Sequence, residues 1–296
     1  MKKTKRTLLV LSGSARLVST RRLLAEGRRA GYLVECLDPL KARVVTGPQA
    51  GVYRGRRHIA QPDCVLARTG TLLIECGLSV ARSWELAGSR VVNAPQAIAW
   101  SKNKMLQLQD LHGAGLPVPR SLLTHHAGGL SDSLRMVGGP PLVLKTLHGS
   151  QGLGVMLAET EGAAASMVET LWGLERDVML QQYIPAARTD VRCFVVGGEV
   201  VAAIRRTARR GEFRSNVHRG AKTEVAPTTG DAAQLARRAA RVLKLDVAGV
   251  DLVEDADGWI VLEVNTTPGL GAIERVTGVN VAGAMVDFVV RSGKGC

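Results

Sequence analysis

Aromatic side chains are scarce in this chain: three Phe, three Tyr and four Trp among 296 residues. Hydrophobic residues nevertheless make up 46% of it, so aliphatic side chains must fill the core. Single-strand nucleic-acid binders stack bases on aromatic rings, and this composition offers few. No apolar run reaches the length of a membrane span, and no signal-peptide core follows the basic N-terminus. The cysteines (Cys36, Cys64, Cys76, Cys193, Cys296) are odd in number and lack metal-ligand spacing. They read as reduced thiols of a cytoplasmic protein with no membrane partner. Internal repeats are absent, as is the Gly-Lys-Ser/Thr of a P-loop. No Ser-His-Asp or Cys-His constellation stands out.

Acidic residues are also in deficit, 26 against 39 Lys and Arg, for a formal net charge of +13. The excess is densest from Arg192 to Arg219, where Arg205, Arg206, Arg209, Arg210 and Arg214 face only Glu199 and Glu212. A solvated, solubilising surface would explain this run. In the functional reading, Arg192 and Arg214 are bidentate donors suited to a bound anion. Arg205, Arg206, Arg209 and Arg210 then attract an acidic substrate, glutamate or an acidic peptide tail. Nucleic acid would suit the charge as well, but Phe213 is the one aromatic nearby, which disfavours direct binding. His218, alone among arginines, reads as a hydrogen-bonding partner more readily than as a general base.

Two stretches carry chemistry. In Val247 to Leu270, apolar runs flank Asp255-Ala256-Asp257-Gly258, a hairpin signal. A turn centred on Ala256-Asp257 brings Asp251 to within a residue of facing Glu263, and alternation puts Glu263 and Asn265 on one face. Two carboxylates and an amide oxygen suit Mg2+; a solvated edge hairpin is the alternative. In the second stretch, the strand Leu142 to Lys145 leads into a loop holding Gly149, Gly152 and Gly154, then an apolar strand. Glycines let backbone N–H groups approach phosphate, and Lys145 adds a point charge. Plain turn chemistry is the alternative here.

The order Lys104, Lys145 with its glycine loop, Asp190-Val191-Arg192, Arg214-Ser215-Asn216, Asp251 and Glu263-Val264-Asn265 resembles the ATP-grasp ligases. Within them it is most similar to the RimK-type glutamate ligases. The resemblance spans nearly the whole chain and is densest in VLKTLHGSQGLGVMLAET, FRSNVHRG, DVAGVDLVE and EVNTTPGL. It implies an ATP-grasp fold of α/β and α+β lobes. These are a pre-ATP-grasp domain at 1–93, a central nucleotide lobe with a glycine-rich lid at 94–184, and a lobe with the metal site at 185–296. The resemblance also implies ATP with Mg2+ or Mn2+, two ions, held by Asp251, Glu263 and Asn265. Lys104, Lys145, Gly149, Ser150, Gln151, Gly152, Gly154, Gln182, Tyr183, Asp190, Arg214, Ser215 and Asn216 would surround the nucleotide. Lys145, Arg192 and Arg214 would be catalytic. Asn103 and Gln182 depart from the Asp and Glu usual in relatives.

Further along the chain, strands are expected at Thr7 to Leu11, Leu33 to Cys36, Cys64 to Ala67 and Val91 to Val92. Helices are expected at Ser19 to Ala30 and about Leu78 to Ala87, so the opening segment reads as α/β with a parallel sheet. Ligands gather at strand C-termini in such sheets, which makes Arg68 a candidate for a substrate carboxylate. Arg206, Asn216 and Gly269 complete the substrate candidates, Gly269 through the amides of Thr266-Thr267-Pro268-Gly269. Val178 to Ile184 reads as a strand, the family's adenine hinge. Ala232 to Leu243 and Val279 to Arg291 read as packed helices. The acceptor stays open between a protein or peptide C-terminus and a small molecule or carrier protein, with a non-enzymatic binding module as a third reading. Family analogy implies a homo-oligomer, a dimer or tetramer.

Overall fold

Strands and helices alternate from the start: β1 (Thr7–Leu11), α1 (Val18–Arg29), β2 (Leu33–Leu37), then β3 (Arg43–Val45), β4 (Gly51–Arg54), β5 (Arg57–His58), β6 (Cys64–Ala67), α2 (Ile74–Leu86) and β7 (Arg90–Val92). This computed structural model describes residues 6–70, 73–124, 129–147, 149, 154–215, 217 and 220–292. The sheet β2-β1-β6-β7 is wholly parallel. Leu8 and Val10 of β1 enter one core while Leu9 and Leu11 enter another. That is why the strand is apolar throughout: both faces of a parallel sheet are covered. The expected strands hold within a residue or so, but α2 starts at Ile74, ahead of Leu78. The small antiparallel sheet β3-β4-β5 was not foreseen, because its residues are mostly exposed and carry no apolar alternation.

The middle segment runs α3 (Pro95–Ser101), α4 (Lys104–Gly113), β8 (Ser121–Leu123), α5 (Leu130–Met136), β9 (Leu142–Thr146), β10 (Val155–Ala158), α6 (Glu161–Gly173) and β11 (Val178–Gln182). Its antiparallel sheet is ordered β10-β9-β11-β8. Leu142 and Leu144 pack under α5 and α6, so alternation turns Val143 and Lys145 to the other face, towards a large cavity.

The last segment holds β12 (Thr189–Val196), β13 (Glu199–Thr207), β14 (Lys222–Val225), α7 (Asp231–Val242), β15 (Val247–Asp255), β16 (Gly258–Asn265), α8 (Gly271–Thr277) and α9 (Val281–Ser292). Its five strands lie antiparallel in the order β14-β13-β12-β15-β16. Cys193 and Val250 face α7, whereas Phe194 and Ile204 share a core with Leu8 and Leu66 of the first sheet and with α9. The first and last segments are thus built on a common core. Among the described residues, no helix is long and apolar enough to cross a membrane.

Candidate active site

One face of the five-stranded sheet carries a charged row. Asp190 and Arg192 are two apart on β12 and so point the same way. Arg206 on β13 lies opposite Asp190, and Asp251 on β15 lies opposite Arg192. Glu263 on β16 lies opposite Asp251, with Asn265 two residues on. A simple hairpin about Ala256-Asp257, which pairs Asp255 with Gly258, would set Leu262 against Asp251. Instead the register shifts between Asp251 and Leu252, so that Leu252 pairs with Val261 and Asp251 with Glu263. The bulge at Leu262 therefore aligns the two carboxylates.

The row is tightly bonded. Arg206 donates from Nε and Nη2 to Asp190 at 2.7 and 2.5 Å and reaches Asp251 Oδ2 at 3.1 Å. Arg192 makes a bidentate pair with Asp251 at 2.6 and 2.5 Å, and Ser215 Oγ donates to Asp190 at 2.5 Å. Burial opposes the charge on Asp251, but Arg192 and Arg206 outweigh it and hold the carboxyl below its ordinary range. Arg206 corrects the sequence reading. It is buried with its guanidinium committed to two carboxylates, so it cannot be an exposed attractor of acidic substrate, whereas Arg205, Arg209 and Arg210 are exposed. Asp190 likewise bonds Arg206 and Ser215 from a buried position, which suits a support better than a nucleotide contact.

A cavity of about 790 Å³ separates this face from the middle sheet. Lys104 and Lys145 line it from the opposite side, together with Gly149, Gln182 and Tyr183. Burial lowers the Lys145 pKa, and Glu263 across the cavity partly offsets that. Asn103 caps α4 by accepting from Met105 and Leu106 N–H at 3.0 and 3.2 Å, a role Asn and Asp fill equally. Lys104 Nζ reaches Gly149 O at 3.4 Å. The Gln182 N–H donates to Arg120 O at 2.9 Å, so that amide is committed within the sheet. Gly154 has φ 72°, and a Cβ there would clash with Thr146 Oγ1. Ser150, Gln151, Gly152, Asn216 and His218 lie outside the described residues. Arg214 lines the cavity, is gripped by Glu212 at 2.9 and 3.0 Å, and reaches Val155 O of β10 at 3.2 Å.

At the far end of the cavity, Gly269 lies on the wall and is exposed. Arg68 Nη2 donates to Pro268 O at 2.7 Å, and burial takes its pKa down to about 10. Three residues escaped the sequence reading. Lys102 lines the cavity beside Lys104; burial lowers its pKa while Glu263 opposes the shift. Gln107 bonds both backbone groups of Val264, between Glu263 and Asn265. Asn93 bonds both backbone groups of Val247 and the carbonyl of Thr266. The one available signal was polar amides within apolar surroundings, as in Met105 to Leu111.

The donor set fits a hard divalent cation. The Glu263 side chain has no hydrogen bond or ion pair among the described residues, and the Asn265 side chain bonds there only through Nδ2, leaving its carbonyl oxygen uncommitted. No group of three or more His, Cys, Asp or Glu able to hold a metal occurs among the described residues. A cation here would complete its shell with the amide and with phosphate and water oxygens, as Mg2+ commonly does.

Known proteins resemble this chain over nearly its whole length. A family model described as RimK-like ATP-grasp domain matches residues 101–289, and one described as RimK PreATP-grasp domain matches residues 7–98. Ribosomal protein bS6–L-glutamate ligase of Salmonella schwarzengrund is 42% identical over 287 residues, covering 96% of this chain and 95% of that one. The RimK domain ATP-grasp protein from Sphaerobacter thermophilus is 27% identical with a TM-score of 0.73, over 96% of this chain and 99% of that one. The ATP-grasp ligase PsnB, solved with a minimal precursor, Mg and ADP, is 25% identical with a TM-score of 0.74, over 97% and 98%.

Proposed function

This chain belongs to the RimK-like ATP-grasp family, and from that premise we propose that it is an ATP-dependent, ADP-forming ligase that adds L-glutamate to the C-terminus of a protein or peptide acceptor. The observation that carries the reading is the alignment of Asp251, Glu263 and Asn265 on one sheet face, across the cavity from Lys104 and Lys145. Those lysines hold phosphate oxygens of ATP. Asp251, Glu263 and Asn265 hold Mg2+ or Mn2+, two ions, whose charge offsets that of the phosphates.

The acceptor carboxylate attacks the γ-phosphorus, the bond to the β–γ bridging oxygen breaks, and ADP leaves. Arg192 and Arg214 donate to the acyl phosphate so formed. The amine of glutamate attacks the acyl carbon, phosphate departs with the bonding pair, and the amine's proton passes to that phosphate. Water is excluded meanwhile, since hydrolysis of the acyl phosphate would discharge it unproductively. Arg68 and the Gly269 loop bind substrate carboxylate, while Asp190 and Arg206 support Asp251. The enzyme works in the cytoplasm as a dimer or tetramer.

The test is ADP release from ATP, L-glutamate and acidic peptides, with mass spectrometry of the products. Successive glutamate-sized additions to a peptide are expected, and Glu263→Gln should abolish ADP formation with the fold intact. Turnover confined to small molecules or a carrier protein would overturn the acceptor, and full turnover by Glu263→Gln would overturn the metal site.

A further inference from the structure

Asp251 carries two guanidinium groups that differ in what else holds them. Arg206 is pinned: its side chain is 2% exposed, and two donors bond Asp190 before one reaches Asp251 at 3.1 Å. Arg192 bonds Asp251 and no other described residue, through Nε to Oδ1 at 2.6 Å and Nη2 to Oδ2 at 2.5 Å. Its side chain is 21% exposed and it lines the cavity. Both Asp251 oxygens thus already face cationic donors. A divalent ion brought to them would meet the guanidinium charge at contact range. Were Arg192 to leave, Arg206 would share its one positive charge between Asp190 and Asp251, leaving one negative charge that a divalent ion would offset. Departure also has a destination, because the cavity Arg192 lines is the one flanked by Lys104 and Lys145, where phosphate oxygens would offer a bidentate partner.

We infer that Arg192 is a displaceable counter-ion: it fills the cation position at Asp251 until nucleotide phosphate draws it away, so divalent metal and nucleotide bind with positive coupling. Arg192 is then a positioning residue for the metal step before it serves the acyl phosphate. The coupling is reciprocal, each ligand strengthening the other by the same factor. The inference rests on reading Asp251, Glu263 and Asn265 as metal ligands.

The test counts bound Mn2+ by the electron paramagnetic resonance of the free ion, with and without ADP. Wild type should bind Mn2+ weakly alone and tightly with ADP. Arg192→Met should bind Mn2+ without ADP about tenfold or more tighter than wild type. Its gain in Mn2+ affinity on adding ADP should shrink correspondingly. Arg192→Lys, which keeps the charge but not the bidentate fork, should fall between wild type and Arg192→Met. If Arg192→Met fails to give a folded melting curve, Arg192→Gln, uncharged but still able to donate to Asp251, repeats the measurement. ADP-free affinity in the uncharged variant no tighter than wild type overturns the inference. The metal assignment still stands if Asp251→Asn loses Mn2+ binding in the presence of ADP. Equal binding of Mn2+ with ADP by wild type and Asp251→Asn overturns the metal assignment and the inference together.

Discussion

At Gln107 a single side-chain amide takes the place of a neighbouring strand. Its Oε1 accepts from Val264 N–H at 2.7 Å and its Nε2 donates to Val264 O at 2.8 Å. β16 is an edge strand, so these groups would otherwise lack a partner beside the cavity. The same Nε2 donates to Ser101 O at 2.9 Å, tying α3 and α4 to the strand that carries Glu263 and Asn265. Gln107→Leu keeps the volume and leaves three buried backbone groups unpaired, so it should cost about 2–3 kcal/mol. A melting curve should show Tm lower by roughly 4–8 °C. The Mg2+ concentration for half-maximal activity should rise, and an unchanged value would argue that Gln107 is structural only.

At the scale of elements, the segment joining β13 to β14 brings the cavity and the basic surface together. Its Glu212 grips Arg214, and Arg214 in turn reaches β10, the strand leaving the glycine loop. The Arg214 hydrogen bond, against a smaller opposing effect of burial, takes the Glu212 pKa down to about 2 from the ordinary 4.5. A carboxyl depressed on folding stabilises the native state above its unfolded pKa and loses that contribution as pH falls towards the folded one. The window is therefore pH 4.5 down to about 2. The pair is close to solvent, so the effect is about 1 kcal/mol or less. Between pH 6 and pH 3, Glu212→Gln should lose roughly 2–4 °C less of Tm than wild type does. Arg205 of β13 and Arg210 of this joining segment are both exposed. Reversing both to Glu should raise KM for an acidic acceptor about five- to tenfold at low salt, and KM for ATP less than about twofold. Equal changes in the two constants would remove the acceptor role.

Across the whole molecule, residues far apart in sequence meet at one seam. Arg22 pairs with Glu274 at 2.8 Å and Arg90 with Asp246 at 2.9 Å, and Asn93 bonds Val247 and Thr266. We propose the borders after residues 93 and 184 as limits of lobes rather than of independent folding units, because the first and last lobes share a core. Asn93→Ala strands a buried N–H and two carbonyls at that seam and should cost about 2–3 kcal/mol. Calorimetry should show the joint transition of the first and last lobes moving down. Two separable transitions for the first and last lobes would contradict the shared core.

How much was legible in the sequence varies with the range of the forces involved. The parallel first sheet, α7, the Lys145 strand and the β15–β16 hairpin were legible because each rests on local periodicity or turn chemistry. Local pattern also named Asp251, Glu263, Asn265 and Lys145, and the family resemblance named Lys104; all of them line one cavity. Whether Leu262 or Glu263 faces Asp251 was open, since a one-residue bulge obeys cross-strand bonding rather than hydrogen bonds within the turn. The fate of Arg206 was equally hidden. In sequence it is one arginine of a basic run, and only pairing β13 with β12 sets it against Asp190 and buries it. The sequence by itself determined which chemical groups this protein has and which strands carry them. The tertiary structure decided which charges neutralise one another, because that depends on neighbours across the sheet that no local window contains.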